Sequence, residues 1–223
     1  IVALMSLCSV AGGRELVTDL PIRIFAGQVG HAFLTLFNMP EITASLRQTS
    51  DEIAYWHRVL NYCAEGCLQA VIDEYAHVLV EWRGVQGKSP QEISQEVAKA
   101  MAEALSLRTA IVSADLISLD EGGSGVLIGD KVRFRSRFAA RFGGQGLDEI
   151  RALQRQSELQ TAFNSPFWPF VLCTTSVGQE GLDFHLYCHA VVHWNLPANP
   201  VDLEQREGRV HRFKSHAVRK NIA

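Results

Sequence analysis

Between Asp51 and Trp82 the apolar positions Ile53, Trp56, Leu60 and Cys63, then Leu68, Val71, Ile72, Tyr75 and Leu79, recur at intervals of three and four. That period predicts two helices broken near Gly66. A third helix is expected from Pro90 to about Leu105, with Ile93, Val97, Met101 and Ala104 on one face. Ser89-Pro-Gln-Glu92 opens it as a capping box, with proline tolerated in the first turn.

Further along the period changes to two. Arg133, Arg135 and Arg137 alternate with Val132, Phe134, Ser136 and Phe138, so a strand would carry the arginines on one face. A central strand covered by helices could not bury three arginines, which makes this an edge strand or one facing a groove. Nucleic-acid contact and simple ion pairing stand level for these three. From Leu147 to Phe163 helical spacing returns, with Ile150, Leu153, Leu159 and Phe163. Two short apolar runs follow, Phe170 to Thr174 and Ala190 to Trp194, and both read as buried strands. The loop after the first holds Thr175, Gly178 and Gly181, small residues that let a backbone approach a phosphodiester.

Asn199-Pro200 then opens a helix on which Gln205, Gly208, Arg209 and Arg212 fall at i, i+3, i+4 and i+7. One face of it is therefore polar and cationic. Glycine costs about 1 kcal/mol relative to alanine in a helix interior, so Gly208 suggests a close approach by backbone or ligand. Guanidinium groups suit phosphate because they stay charged and present a planar fork of donors. Arg209 and Arg212 are candidate arginine fingers, and the competing reading is a solvated basic helix making surface ion pairs.

The stretch VLCTTSVGQEGLDFHLYCHAVVHWNLPANPVDLEQREGRVHR, ending at Arg212, resembles motifs V and VI of superfamily 2 helicases, closest to the Swi/Snf-like branch and also similar to the DEAD/DEAH type. Similar relatives include the bacterial RNA-polymerase-associated ATPase and phage-defence helicases. The resemblance implies an α/β fold, a RecA-like P-loop NTPase lobe with a three-layer, mostly parallel sheet, preceded by a mostly helical segment. Residues 1–108 would be a helical insertion or connecting segment, and 109–223 the helicase C-terminal lobe, truncated at its end.

By the same resemblance Thr174, Thr175 and Gly178 would contact nucleic acid, and Gly181 and Asp183 would link it to the nucleotide. Gln205, Gly208, Arg209 and Arg212 would complete an ATP site shared with an N-terminal RecA-like lobe of the same protein. ATP and Mg2+ are the implied cofactors, with the magnesium ligands in that other lobe. Nucleic acid is the implied partner, DNA favoured over RNA. The alternative is a non-catalytic nucleic-acid-binding or protein-interaction module derived from a helicase lobe. It is kept open by the length of the helical half and the lack of a clear motif IV.

Net charge is −3 over 223 residues, which alone says nothing of nucleic acid. Its distribution says more. Lys131 to Arg141 and Arg206 to Lys220 each carry +5, leaving −13 for the remainder. Such concentration is the footprint expected of a phosphate-binding surface.

Two motifs in the first half mislead. Gly84 to Ser89 resembles the end of a P-loop, but Trp82 stands where the full pattern needs glycine. Asp73-Glu74-Tyr-Ala-His77 resembles an acidic magnesium motif, yet its flanks keep a helical period. His185, His189 and His193 are spaced by four, but a strand would hold the last two roughly 13 Å apart, too far to share a zinc. Cys63 and Cys67 have no second pair, and five scattered cysteines give no disulfide framework. No metal site is expected. No stretch reads as a bilayer span or a signal peptide, so no membrane partner is expected and a cytoplasmic location follows by default. The chain opens at Ile1 and closes eleven residues after Arg212, and both ends read as cuts.

Overall fold

The computed structural model describes residues 1–47, 53–106, 110–119, 126–136, 157–167, 171–173 and 183–222. Six helices come first: α1 (Val2–Ala11), α2 (Leu20–Phe37), α3 (Pro40–Arg47), α4 (Tyr55–Glu65), α5 (Leu68–Trp82) and α6 (Pro90–Leu105). A hairpin of β1 (Ala110–Leu119) and β2 (Val126–Ser136) follows. After it come a short helix α7 over 157–163, then α8 (Pro200–Gly208) and α9 (His216–Ile222).

The break near Gly66 lies between α4 and α5, where Cys67 takes a left-handed conformation, φ 48°. Ser89 and Glu92 form the capping box of α6 in both directions, with Pro90 in the first turn. The P-loop-like stretch is thus a turn between α5 and α6, with positive φ at Gly84 and Gly87. The acidic magnesium-like stretch is helical. Its Asp73 carboxylate accepts from Ser6 Oγ at 2.5 Å and from Gln69 Nε2 at 2.8 Å, tying α5 to α1.

The core of this half is made by Leu7 of α1, Ile22 and Val29 of α2, Ile72 and Tyr75 of α5, and Val97, Met101 and Leu105 of α6, all buried. Helix α1 packs on α2, α5 and α6. By length and composition α2 is apolar enough to cross a membrane, contrary to the expectation that no stretch is. Its Ile22, Ala26, Val29, Ala32 and Leu36 are nonetheless buried against the other helices.

The expected three-layer, mostly parallel sheet is not what the structure has. The described residues are mainly helical, and their sheet is one antiparallel pair, β1 with β2. Parallel strands need a crossover of a dozen residues or more, whereas residues 120–125 link these two directly. Neither apolar run is a strand where described: 171–173 and 188–193 are irregular. Val171 is 74% exposed, Val192 88% and Trp194 94%. Apolar character alone did not supply the neighbouring strand that pairing requires. The arginine-bearing strand does exist as β2, paired with β1 among the described residues, with Arg133 opposite Ser113 and Arg135 opposite Ile111. Of the helix expected from Leu147 to Phe163, only 157–163 falls among the described residues, and it is helical.

The C-terminal segment packs on the helical half through α5. Phe167 meets Tyr75 edge-on with ring centroids 5.6 Å apart and Phe33 at 5.2 Å. Tyr187 meets Tyr75 at 5.9 Å, and His185 meets Trp82 at 5.6 Å. Around these rings, Lys214 pairs with Glu81 at 2.7 Å and Arg219 with Glu74 at 3.3 Å.

His185 is buried, and that burial pushes its pKa below the ordinary 6.5. Arg212 and Arg219 push it the same way, and Asp183 opposes them. Burial first, with Arg219 and His189 after it, lowers His216 as well. A histidine lowered in the fold leaves the unfolded chain the better proton acceptor, so its contribution is complete above about pH 6.5 and is lost as pH falls toward the folded value. Thermal unfolding followed between about pH 7.5 and about pH 5.5 is expected to show an acid-side loss of stability that His185→Asn reduces. An unchanged pH profile in the variant contradicts this assignment.

Candidate nucleotide and nucleic-acid site

Asn199 caps α8 as its sequence suggests, its Oδ1 accepting from the Val201 amide at 3.1 Å with Pro200 in the first turn. The helix ends at Gly208, sooner than the spacing predicts. Arg209 is its C-cap at φ −74° and ψ −23°, and the amides of Val210 and His211 both turn back to the Glu207 carbonyl. The chain bends there to bury Val210 and then Ser215. Arg212 therefore lies beyond the helix, and Gln205, Gly208, Arg209 and Arg212 do not share one helical face. Nothing described approaches Gly208, whose added Cβ would meet no atom within 4 Å.

The bend brings Arg212 instead to Asp183, Nη1 against Oδ1. Both side chains stay well exposed, 45% and 36%, so the pair is worth about 0–1 kcal/mol and opens readily. Residues from both sequence motifs thus meet in one contact. Arg209 is half-buried, and its side chain makes no hydrogen bond or ion pair among the described residues. Gln205, four residues before it on α8, is exposed.

Asp183 begins an irregular segment whose backbone is held by side chains. Its carbonyl accepts from Asn164 Nδ2, and from Gln160 Nε2 at 3.4 Å. Asn164 Oδ1 in turn accepts from the Leu186 amide at 3.3 Å. The His185 carbonyl accepts from the His216 amide at 3.1 Å, and the Leu186 carbonyl from Arg219 Nη2 at 2.8 Å. Farther on, Arg206 donates to the Asn195 carbonyl at 3.2 Å and His193 reaches Glu207 at 3.3 Å, fastening α8 to the same segment.

The three evenly spaced histidines go to three separate places: His185 to Trp82, His189 to His216 with rings 5.4 Å apart, and His193 to Glu207. Among the described residues no group of three or more His, Cys, Asp or Glu is arranged to hold a metal ion. The basic stretch from Arg206 to Lys220 is partly spent internally, since Arg212, Lys214 and Arg219 each pair with an acid.

Thr174, Thr175, Gly178, Gly181 and Arg137 lie outside the described residues. Sequence reasoning missed Asn164, Arg219 and Glu74. Asn164 stands beside the Ser165-Pro166 turn, where Asn is ordinary, and Arg219 meets Glu74 from 145 residues away. No local spacing marks either role.

A protein-family model described as "Helicase conserved C-terminal domain" matches residues 141–214, about a third of the chain. An ATP-dependent helicase of Bacillus subtilis (strain 168), described as uncharacterized and named YqhH, is 45% identical over 43 residues. That match covers 19% of this chain and 8% of the relative, so the chain spans a small part of its length. No solved structure matches. The resemblance to a helicase C-terminal lobe first read from the residues between Val171 and Arg212 is thereby borne out, and residues 141–214 match a helicase conserved C-terminal domain.

Proposed function

We propose that this chain is the C-terminal motor part of an ATP-dependent nucleic-acid helicase or translocase, one side of a nucleotide site completed by another lobe of the intact protein. The observation that carries this reading is the contact between Asp183 and Arg212 inside the helicase-like stretch, with Arg209 free of internal partners among the described residues.

Arg209 and Arg212 have the chemistry for polyphosphate: permanent charge and planar donor forks. When bound, ATP supplies the phosphoryl group and Mg2+ the charge that offsets it. Arg209 then stabilises charge developing on the transferring group. Arg212 exchanges its weak pairing with Asp183 for phosphate as the two lobes close, and Asp183 holds it in reserve when they open. Gln205 and Gly181 complete the nucleotide side. Thr174, Thr175 and Gly178 hold backbone phosphates of nucleic acid, DNA in preference to RNA, while Arg133, Arg135 and Arg137 widen the cationic track. Magnesium ligands and the P-loop lysine come from the other lobe, so this chain alone turns over no ATP.

In the intact protein, Arg209→Ala is expected to cut nucleic-acid-stimulated ATP turnover about 10³-fold or more while nucleic-acid binding persists. Steady-state turnover and a binding isotherm at fixed salt measure the two separately. Unchanged turnover sinks the finger assignment and favours a clamp without a motor.

A further inference from the structure

The residues that pin the Asp183 segment come from inside the helicase-like match at 141–214, Gln160 and Asn164, and from outside it, His216 and Arg219. Arg219 lies on α9 and Glu74 on α5 of the helical half. Arg219 Nη2 donates to the Leu186 carbonyl at 2.8 Å and to Glu74 Oε1 at 3.3 Å, and Nη1 donates to the Lys214 carbonyl at 2.8 Å. Its guanidinium also stands over the Tyr187 ring, 5.1 Å from the centroid. One side chain thus joins α5, the turn after Arg212 and the segment after Asp183.

We propose that Arg219, oriented by Glu74, is a positioning residue that sets the Asp183–Arg212 pair and so couples the helical half to the ATP reaction. This rests on the reading of the chain as a motor part. Arg219 does not reach Asp183 itself. It fixes Leu186 and Lys214, three residues after Asp183 and two after Arg212, so the two partners of the pair are held from one point. Asn164 holds the same segment through the Asp183 carbonyl and the Leu186 amide. With Arg219 removed, the segment keeps its bonds to Gln160, Asn164 and the His216 amide but loses its tie to Lys214. Glu74 and Glu81, a little under two turns apart on α5, give this coupling its link to the helical half, because Glu81 also engages Lys214. A shift of α5 therefore reaches both residues of the pair.

The test uses the intact protein and two readouts. In Arg219→Ala, amide exchange at Leu186 and His216 is expected to quicken about tenfold, as the loss of charge-assisted bonds to carbonyls implies. In the same variant, nucleic-acid-stimulated kcat is expected to fall about tenfold with KM for ATP nearly unchanged, and Arg219→Lys to recover part of the loss. Glu74→Gln, which keeps a neutral acceptor, is expected to give a smaller change of the same sign, and it decides the matter if Arg219→Ala does not fold. Unchanged exchange at Leu186 overturns the proposal. So does faster exchange with unaltered kcat, because the contact would then be structural only. Absence of ATP turnover in the wild-type protein overturns the motor reading instead, and the exchange result still stands apart from it.

Discussion

Everything near Asp183 depends on satisfying a backbone that belongs to neither helix nor sheet. Residues 183–193 run irregularly, yet His185 and Leu186 are buried, and buried carbonyls and amides without partners are costly. The chain meets that requirement with two side chains and one main-chain amide. Asn164 takes the Asp183 carbonyl and Leu186 amide, Arg219 takes the Leu186 carbonyl, and the His216 amide takes the His185 carbonyl. Regular strand pairing would have supplied these bonds without Asn164 or the α9 residues His216 and Arg219, and Arg219 brings in Glu74 of α5.

From that constraint follows the character of the Asp183–Arg212 contact. The backbone on both sides is anchored, while the ion pair itself faces solvent and contributes little to stability. On the proposed reading, a firmly placed but weakly held arginine would lose little free energy if phosphate replaced the carboxylate. The neighbouring Arg209, without an internal partner among the described residues, has nothing to give up. The cationic stretch also divides by use: Lys214 and Arg219 fasten it to Glu81 and Glu74 of α5.

The sequence was legible where local pattern and local bonding coincide. The period of three and four located α4, α5 and α6, and both the Ser89 capping box and the Asn199 cap are contacts within three residues. Helix α1 escaped notice because Val2–Ala11 is apolar nearly all round, so it has no polar face to show a period. The parallel sheet was misjudged for a related reason. An apolar run such as Ala190 to Trp194 states that burial would be favourable, but not that a strand stands ready to pair. The motif residues Asp183 and Arg212 were legible as a pair of stretches, whereas their anchors were not. Asn164 and Arg219 act across 19 to 145 residues, distances at which spacing carries no signal. The early end of α8 was likewise hidden, because Val210 turns inward for tertiary reasons.

The central claim is that Asp183 and Arg212 act as one unit in ATP turnover. A double-mutant cycle on kcat in the intact protein, using Asp183→Asn, Arg212→Gln and the two together, tests it most directly. The account predicts strong coupling, with the double variant about as slow as the slower single one. Independent, multiplicative losses would contradict it.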